Sequence, residues 1–250
     1  MPEHPRQDSP GRALTRQRFL AVRDEHAVEE MDKADCDPVA LARTYAQFPV
    51  INSVVSRWHS VYKQRIRPLL SATRNSTLLD IGCGGGDIPA ALARWAARDR
   101  LRLSITAIDP DPRAITYARS HFAGSDVEFR QAHSSELLAE GAMFTVVISN
   151  HMLHHLTPPE FSDLLSDSTA LAQELVVHSD IARSRLGYAL FSVATLPLAV
   201  GSFIRPDGLT SIRRSYTPTE LRAILPAGWR VESERPYRNL LLYSPGQQHV

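Results

Sequence analysis

A short apolar strand that runs into a glycine-rich turn and then a helix constrains this chain more than any other feature. Leu78-Leu79-Asp80-Ile81 reads as the strand, Gly82-Cys83-Gly84-Gly85-Gly86 as the turn, and Asp87 opens the helix. Glycine has no Cβ, so it adopts positive φ freely and lets a ligand approach the main chain. The alternation continues downstream. Strands are predicted at 77–81, 101–108, 127–131, 144–149, 174–179, 229–234 and 240–243, and helices at 87–97, 112–122, 158–172 and 217–225. Strands alternating with helices predict an α/β fold with a doubly wound, mostly parallel sheet. Ligands of such sheets bind outside the carboxyl ends of the strands.

The turn is spaced GxGxG, whereas the dinucleotide fingerprint is GxGxxG with a pyrophosphate on the helix N-terminus. Asp80 stands just before the turn and Asp87 just after it. Carboxylates there repel a pyrophosphate and suit a cationic ligand, such as a sulfonium with an amino-acid head group. Asp109 ends the next strand, where an acid can accept both ribose hydroxyls of an adenosine. A tight turn without a ligand is the competing reading, and Asp80 and Asp109 together weigh against it.

The LLDIGCGGGD string followed by AIDPDP resembles the class I S-adenosylmethionine-dependent methyltransferases, over about Thr77 to Gly246. The later run from Val146 to Leu156 is similar to the fourth motif of small-molecule members, quinone-biosynthesis methylases among them. The resemblance implies a seven-stranded Rossmann-like methyltransferase fold and S-adenosyl-L-methionine as cofactor. It implies that the Gly82, Gly84 and Gly86 main chain approaches the methionine part and that Asp80 orients the loop or the ammonium. By the same resemblance Asp109 binds the ribose, Ile108 and Pro110 flank the adenine, and Asn150 and His151 lie near the methyl group. Two positions depart from the family's pattern. His133 stands near the place of an acid that accepts from the adenine amino group, and is expected to take over that contact through a neutral imidazole or a main-chain carbonyl; Thr145 follows Phe144 where an Asp is common.

Methyl transfer to a phenol needs a group that takes the proton. His151, His154 and His155, after the fourth strand, are the catalytic candidates. The competing reading packs one of them against the sheet or caps the following helix with it. His178 reads as a core histidine within an apolar strand, and Asp180 as an ion-pair partner of Arg183. Tyr45, Trp58 and Tyr62 either wall the pocket or belong to the core.

The domain organisation expected is a mobile N-terminal tail at 1–27, a helical cap at 28–75 and a methyltransferase domain at 76–250, with a helical lid inserted at about 183–216. In the cap, Asp37 and Pro38 start a helix and Pro49 is expected to divide it. From Leu186 to Ile204 no residue is charged. A membrane span there would place the last strands across the bilayer from their own sheet, so the segment is expected to stay on one side. It either packs on the N-terminal helices, or lines a channel for a lipophilic substrate or touches a membrane surface. The chain carries 28 Lys+Arg against 27 Asp+Glu, with no basic excess to hold nucleic acid. Its two cysteines, Cys36 and Cys83, form no metal cluster, and no metal is expected. The polar N-terminus has no secretory pattern, which makes the cytoplasm the expected compartment. The function these features support is methylation, on oxygen or carbon, of a small lipophilic phenolic, quinol or polyketide-like compound. A regulatory protein that binds the cofactor without turnover is the alternative.

Overall fold

A computed structural model describes residues 19–198 and 200–246. Seven strands form one sheet: β1 (Ser76–Ile81), β2 (Leu103–Asp109), β3 (Val127–Gln131), β4 (Phe144–Asn150), β5 (Ala172–Ile181), β6 (Arg230–Glu234) and β7 (Arg238–Tyr243). Their order is β3-β2-β1-β4-β5-β7-β6, with β7 antiparallel to both neighbours and the other pairs parallel. The predicted doubly wound sheet is therefore the observed one. The order reverses between β1 and β4, which opens a crevice at their carboxyl ends.

The sheet is buried on both faces, as a parallel sheet must be. Leu79, Ile81, Val147, Val176 and Leu241 pack into one core, while Leu78, Ile105, Val146, Val177 and Leu240 pack into the other. Adjacent residues go to opposite cores because side chains alternate along a strand. The unusual Phe144-Thr145 has a local role. Thr145 Oγ1 accepts the Thr77 N–H at 3.1 Å, and Thr77 Oγ1 accepts the Thr145 N–H at 3.0 Å, tying the starts of β1 and β4 together.

Helices α3 (Asp87–Arg98), α4 (Pro112–His121), α5 (Ser134–Ala139) and α6 (Pro158–Leu171) pack along the sheet. Ahead of them come α1 (Pro38–Val55) and the short α2 (Trp58–Val61). The Asp37 side chain caps α1, as the sequence predicts. Pro49, however, does not divide the helix, which continues to Val55 and breaks at Arg57, in the left-handed region with φ 47°. Pro49 is exposed, and α1 absorbs the missing N–H within its length rather than ending there.

The expected tail is also corrected. Residues 1–18 lie outside the described residues, but Arg23 is anchored. It donates to the carbonyls of Arg214, His154 and Leu156 at 2.6, 3.1 and 3.1 Å and stacks over the Tyr216 ring. The segment that follows is a strap rather than a free end.

The lid contains α7 (Arg185–Ala194) and α8 (Ile204–Arg214), and α9 (Pro218–Ile224) follows it behind its capping box. It docks on α1: the Phe203 N–H donates to Thr44 Oγ1 at 2.8 Å and Ser202 Oγ to Gln47 Oε1 at 2.8 Å. Among the described residues no helix is long and apolar enough to cross a membrane. Leu186, Leu190, Val193 and Leu196 on this segment are nevertheless 55–68% exposed.

Candidate functional site

A cavity of about 510 Å³ opens at the carboxyl ends of β1, β2 and β4, closed over by the strap, α1 and the lid. The glycine turn forms one wall. Gly82 and Gly84 take φ values of 72° and 53°, and the main-chain N–H groups of Gly82 and Cys83 donate to the Ile108 carbonyl at 2.8 and 3.0 Å. A methyl group at Gly84 would meet nothing within 4 Å, so the main chain there is open to a ligand. Gly86 differs. It does not line the cavity, and a methyl group on it would meet the Phe129 ring at 2.7 Å. Its glycine is required by φ 83° at the start of α3 and by packing, which corrects its assignment as a ligand contact.

Three carboxylates surround this wall. Asp80 is buried, and its Oδ1 has no hydrogen-bond partner. Burial, with Asp87 and Asp109 nearby, pushes its carboxyl well above the usual range. Asp87 is raised by burial to about 6, although the Asn52 amide donates to it at 2.9 Å. Asp109 is raised by burial as well, while its two oxygens accept the N–H groups of Gly84 and Asp111 at 2.9 Å each. Pro110 lines the cavity beside it. Ile108 does not, because its side chain is 1% exposed within the core. His133 is exposed and does not line the cavity; its main-chain N–H donates to Glu136 at 3.1 Å at the start of α5.

The opposite wall holds the three histidines, and the structure separates their roles. His151 takes φ 55° directly after Asn150, whose Oδ1 accepts the Trp58 indole N–H at 2.9 Å. Its Nε2 lies 2.6 Å from Ser56 Oγ, and that hydroxyl donates in turn to Asn52 Oδ1 at 2.9 Å. A serine has one proton to give, so Nε2 is the donor to Ser56 and Nδ1 keeps its lone pair. Burial lowers the ring to about 4, against the pull of Asp180, and it is neutral near pH 7.

His154 is 1% exposed. Its Nδ1 lies 2.7 Å from Asp180 Oδ1, its own N–H donates to Asp180 Oδ2 at 2.8 Å, and its Nε2 lies 3.3 Å from Glu29 Oε1. Burial alone would lower its pKa, but Asp180 and then Glu29 outweigh it and raise the ring to about 10. A protonated ring clamped between two carboxylates accepts no proton, so His154 is not a general base in this state. Glu29, for its part, would be raised by burial but is held at about 2 by His155 and His154.

His155 is 27% exposed. Its Nδ1 lies 3.0 Å from Asp32 Oδ2 and its Nε2 3.8 Å from Glu29 Oε2. The turn that carries both rings is held by two arginines. Arg214 donates to the carbonyls of His154 and His155 at 3.0 Å each, and Arg23 joins it on His154.

His178 is a core histidine, as predicted: it is fully buried, lies 2.8 Å from Ser149 Oγ, stacks on Trp229 and is lowered by burial to about 3. Asp180 pairs with His154, not with Arg183, which reaches Glu220 instead. Tyr45 lines the cavity, Trp58 positions Asn150, and Tyr62 is core with its hydroxyl on Asp99 at 3.1 Å. The lid contributes Phe191, Phe203 and Ile204 to the cavity. Sequence reasoning missed Glu29, Asp32, Asn52 and Ser56. No local pattern marks them, since each acts on a residue far along the chain.

Comparison with known proteins places this geometry among relatives. Residues 78–174 match the family model described as a methyltransferase domain. A ubiquinone biosynthesis O-methyltransferase of Caulobacter vibrioides is 34% identical over 167 residues, which is 64% of this chain and 61% of that protein. One from Methylobacterium sp. is 28% identical over 162 residues, 63% of this chain and 61% of that protein. The chain thus spans about 61% of the length of these curated relatives. Among solved structures, human N-acetylserotonin methyltransferase in complex with SAM superposes with a TM-score of 0.58 at 16% identity, over 83% of this chain and 56% of that one. The plantazolicin methyltransferase BpumL in complex with SAH does so with a TM-score of 0.53 at 13% identity, over 83% and 95%. At these identities the likeness is one of fold.

Proposed function

We propose that this chain, whose residues 78–174 match a methyltransferase domain, transfers a methyl group from S-adenosyl-L-methionine to a hydroxyl of a small apolar phenol or quinol. The observation that carries this reading is the acidic cradle. Asp80, Asp87 and Asp109 surround an open glycine main chain, and burial raises all three. Ionising them together favours a ligand that brings positive charge.

The residues fit this cofactor: Asp80 Oδ1 is buried and unpartnered, and space is open where a side chain at Gly84 would stand. When bound, the cofactor supplies an electrophilic methyl group on a sulfonium. Asp109 has lone pairs left for ribose hydroxyls, since each oxygen accepts one main-chain N–H. The Gly82 and Gly84 main chain admits the methionine portion. Asn150, fixed by Trp58, lines the same cavity and would border the methyl group and the acceptor oxygen. Much of the rate gain then comes from holding them in line.

His151 is the group we assign to the proton. It is neutral and keeps its Nδ1 lone pair, and Asp180 Oδ1 lies 4.0 Å from that nitrogen. As the acceptor oxygen takes the methyl group, its proton passes to Nδ1, and Asp180 stabilises the imidazolium formed. Apolar cavity walls from Phe48, Ile51, Phe191 and Phe203 suit a lipophilic aromatic substrate. The quinone-pathway name of the relatives supports the same class. The outer side of the lid, with Leu186, Leu190, Val193 and Leu196 exposed, supports contact with the membrane that stores such a substrate.

The test is a labelled-methyl transfer assay over a panel of phenols and quinols. A methylated product is expected, with His151→Ala slowing turnover by about 10²–10⁴ while cofactor affinity holds. Normal turnover in that variant removes His151 from the reaction. Cofactor binding without turnover on any acceptor favours the regulatory alternative.

A further inference from the structure

One cluster in the cavity is not used by methyl transfer as proposed above. Glu29, His154 and His155 bring one carboxylate oxygen and two imidazole nitrogens within 4.8 Å of one another. The two rings are oriented alike. His154 places Nδ1 against Asp180 at 2.7 Å, and His155 places Nδ1 against Asp32 at 3.0 Å. Each ring therefore turns its Nε2 toward Glu29, at 3.3 Å from Oε1 for His154 and 3.8 Å from Oε2 for His155.

A carboxylate on the far nitrogen is the arrangement that fixes the tautomer and orientation of a metal-binding histidine. The spacing agrees with it. The His154 Nε2 atom is fully buried yet closes no hydrogen bond. A gap of 3.3 Å is long for an N–H···O bond. It is close to the ~3.4 Å edge between two donors that each sit about 2.0–2.1 Å from a four-coordinate ion. Ser211 Oγ donates to Glu29 Oε1 at 2.8 Å and orients the carboxylate from outside.

We infer that Glu29, His154 and His155 form a binding site for one divalent first-row transition-metal ion, with Zn²⁺ as the best match. Two imidazoles and one carboxylate are borderline donors, which favour Zn²⁺, Co²⁺ or Fe²⁺ over the oxygen-seeking Mg²⁺ and Ca²⁺. His155 is open to the cavity, so a fourth position facing it is available to water or an oxygen donor. Glu29 belongs to the strap and the histidines to the turn after β4, so the ion also joins the strap to the sheet. The site does not depend on the methyl-transfer reading, because binding is measured on the protein alone.

The experiment uses the full chain without an affinity tag, stripped with a chelator. Zn²⁺ is titrated by calorimetry, and Co²⁺ is followed by its visible absorption. Stoichiometric Zn²⁺ binding, competed by Co²⁺ and not by Mg²⁺, is expected. His155→Ala and the isosteric Glu29→Gln should each weaken binding at least a hundredfold while circular dichroism stays unchanged. His121→Ala, on the exposed face of α4, should bind as the parent does. Absence of stoichiometric Zn²⁺ binding, preference for Mg²⁺, or a folded His155→Ala or Glu29→Gln protein that binds as tightly as the parent would overturn the site.

Discussion

His154→Ala separates a structural histidine from a catalytic one. The ring is 1% exposed and lies between the carboxylates of Asp180 and Glu29. Removing one partner of a buried ion pair typically costs about 3–5 kcal/mol, because it leaves uncompensated buried charge. The structure puts the cost at the lower end. Asp180 keeps the main-chain N–H groups of residues 154 and 181, at 2.8 and 2.7 Å, and Glu29 keeps Ser211 and the His155 ring. A loss of about 3 kcal/mol is expected. With urea slopes of about 1–3 kcal/mol per molar, the midpoint should fall by ~1 M or more. The assay is urea unfolding near neutral pH with chelator present, followed by circular dichroism. His154→Asn, whose amide can reach Asp180, should recover part of the loss. A His154→Ala protein within about 0.5 kcal/mol of the parent, the range of an unimportant surface change, but with turnover abolished, would refute the reasoning and return this ring to the chemistry.

Three further outcomes follow from particular contacts. Gly84→Ala, at φ 53°, should lose cofactor affinity with about 1–2 kcal/mol of stability, whereas Gly86→Ala, driven into Phe129 at φ 83°, should lose more stability than affinity; paired calorimetry and melting checks the contrast. Asp87 is raised to about 6, so it ionises as pH climbs from about 5 to 7. Affinity for the cationic cofactor should rise across that window, by up to tenfold per unit, and Asp87→Asn should flatten the rise; a parent whose affinity is flat with pH contradicts it. The exposed lid row predicts sedimentation with liposomes, reduced by Leu190→Ser with Val193→Ser, and turnover that climbs with acceptor tail length by up to about 0.8 kcal/mol per buried methylene. No liposome binding and a flat length series would leave the lid a packing element.

The glycine turn was legible because its information is local. Asp80, Gly82 and Gly84 are adjacent in sequence, and β1 and β2 carry them and Asp109 to one end of the sheet. Gly86 and His133 lie outside the cavity lining because turn spacing alone does not distinguish a residue facing the cavity from one facing Phe129 or standing at the start of α5. The roles of the histidines were not legible. Whether an imidazole is neutral or charged depends on what stands opposite it, and the partners Glu29 and Asp32 come from the strap and Ser56 from the residue that caps the end of α1, far along the chain. Pro49 misled for a related reason: its cost depends on which face of the helix it occupies, and here that face is solvent.

The central claim is that the acidic glycine cradle holds a sulfonium adenosine cofactor. Calorimetry of the parent and Asp109→Ala proteins with S-adenosylmethionine, its demethylated product and a nicotinamide dinucleotide tests it most directly. Micromolar-range binding of the first two is expected, with Asp109→Ala weaker by about ten- to a hundredfold, the cost of about 1.5–3 kcal/mol for losing a charged hydrogen-bond partner. Little binding of the dinucleotide is expected. Dinucleotide binding with none of the sulfonium, or an Asp109→Ala protein that binds as tightly as the parent, would contradict the account.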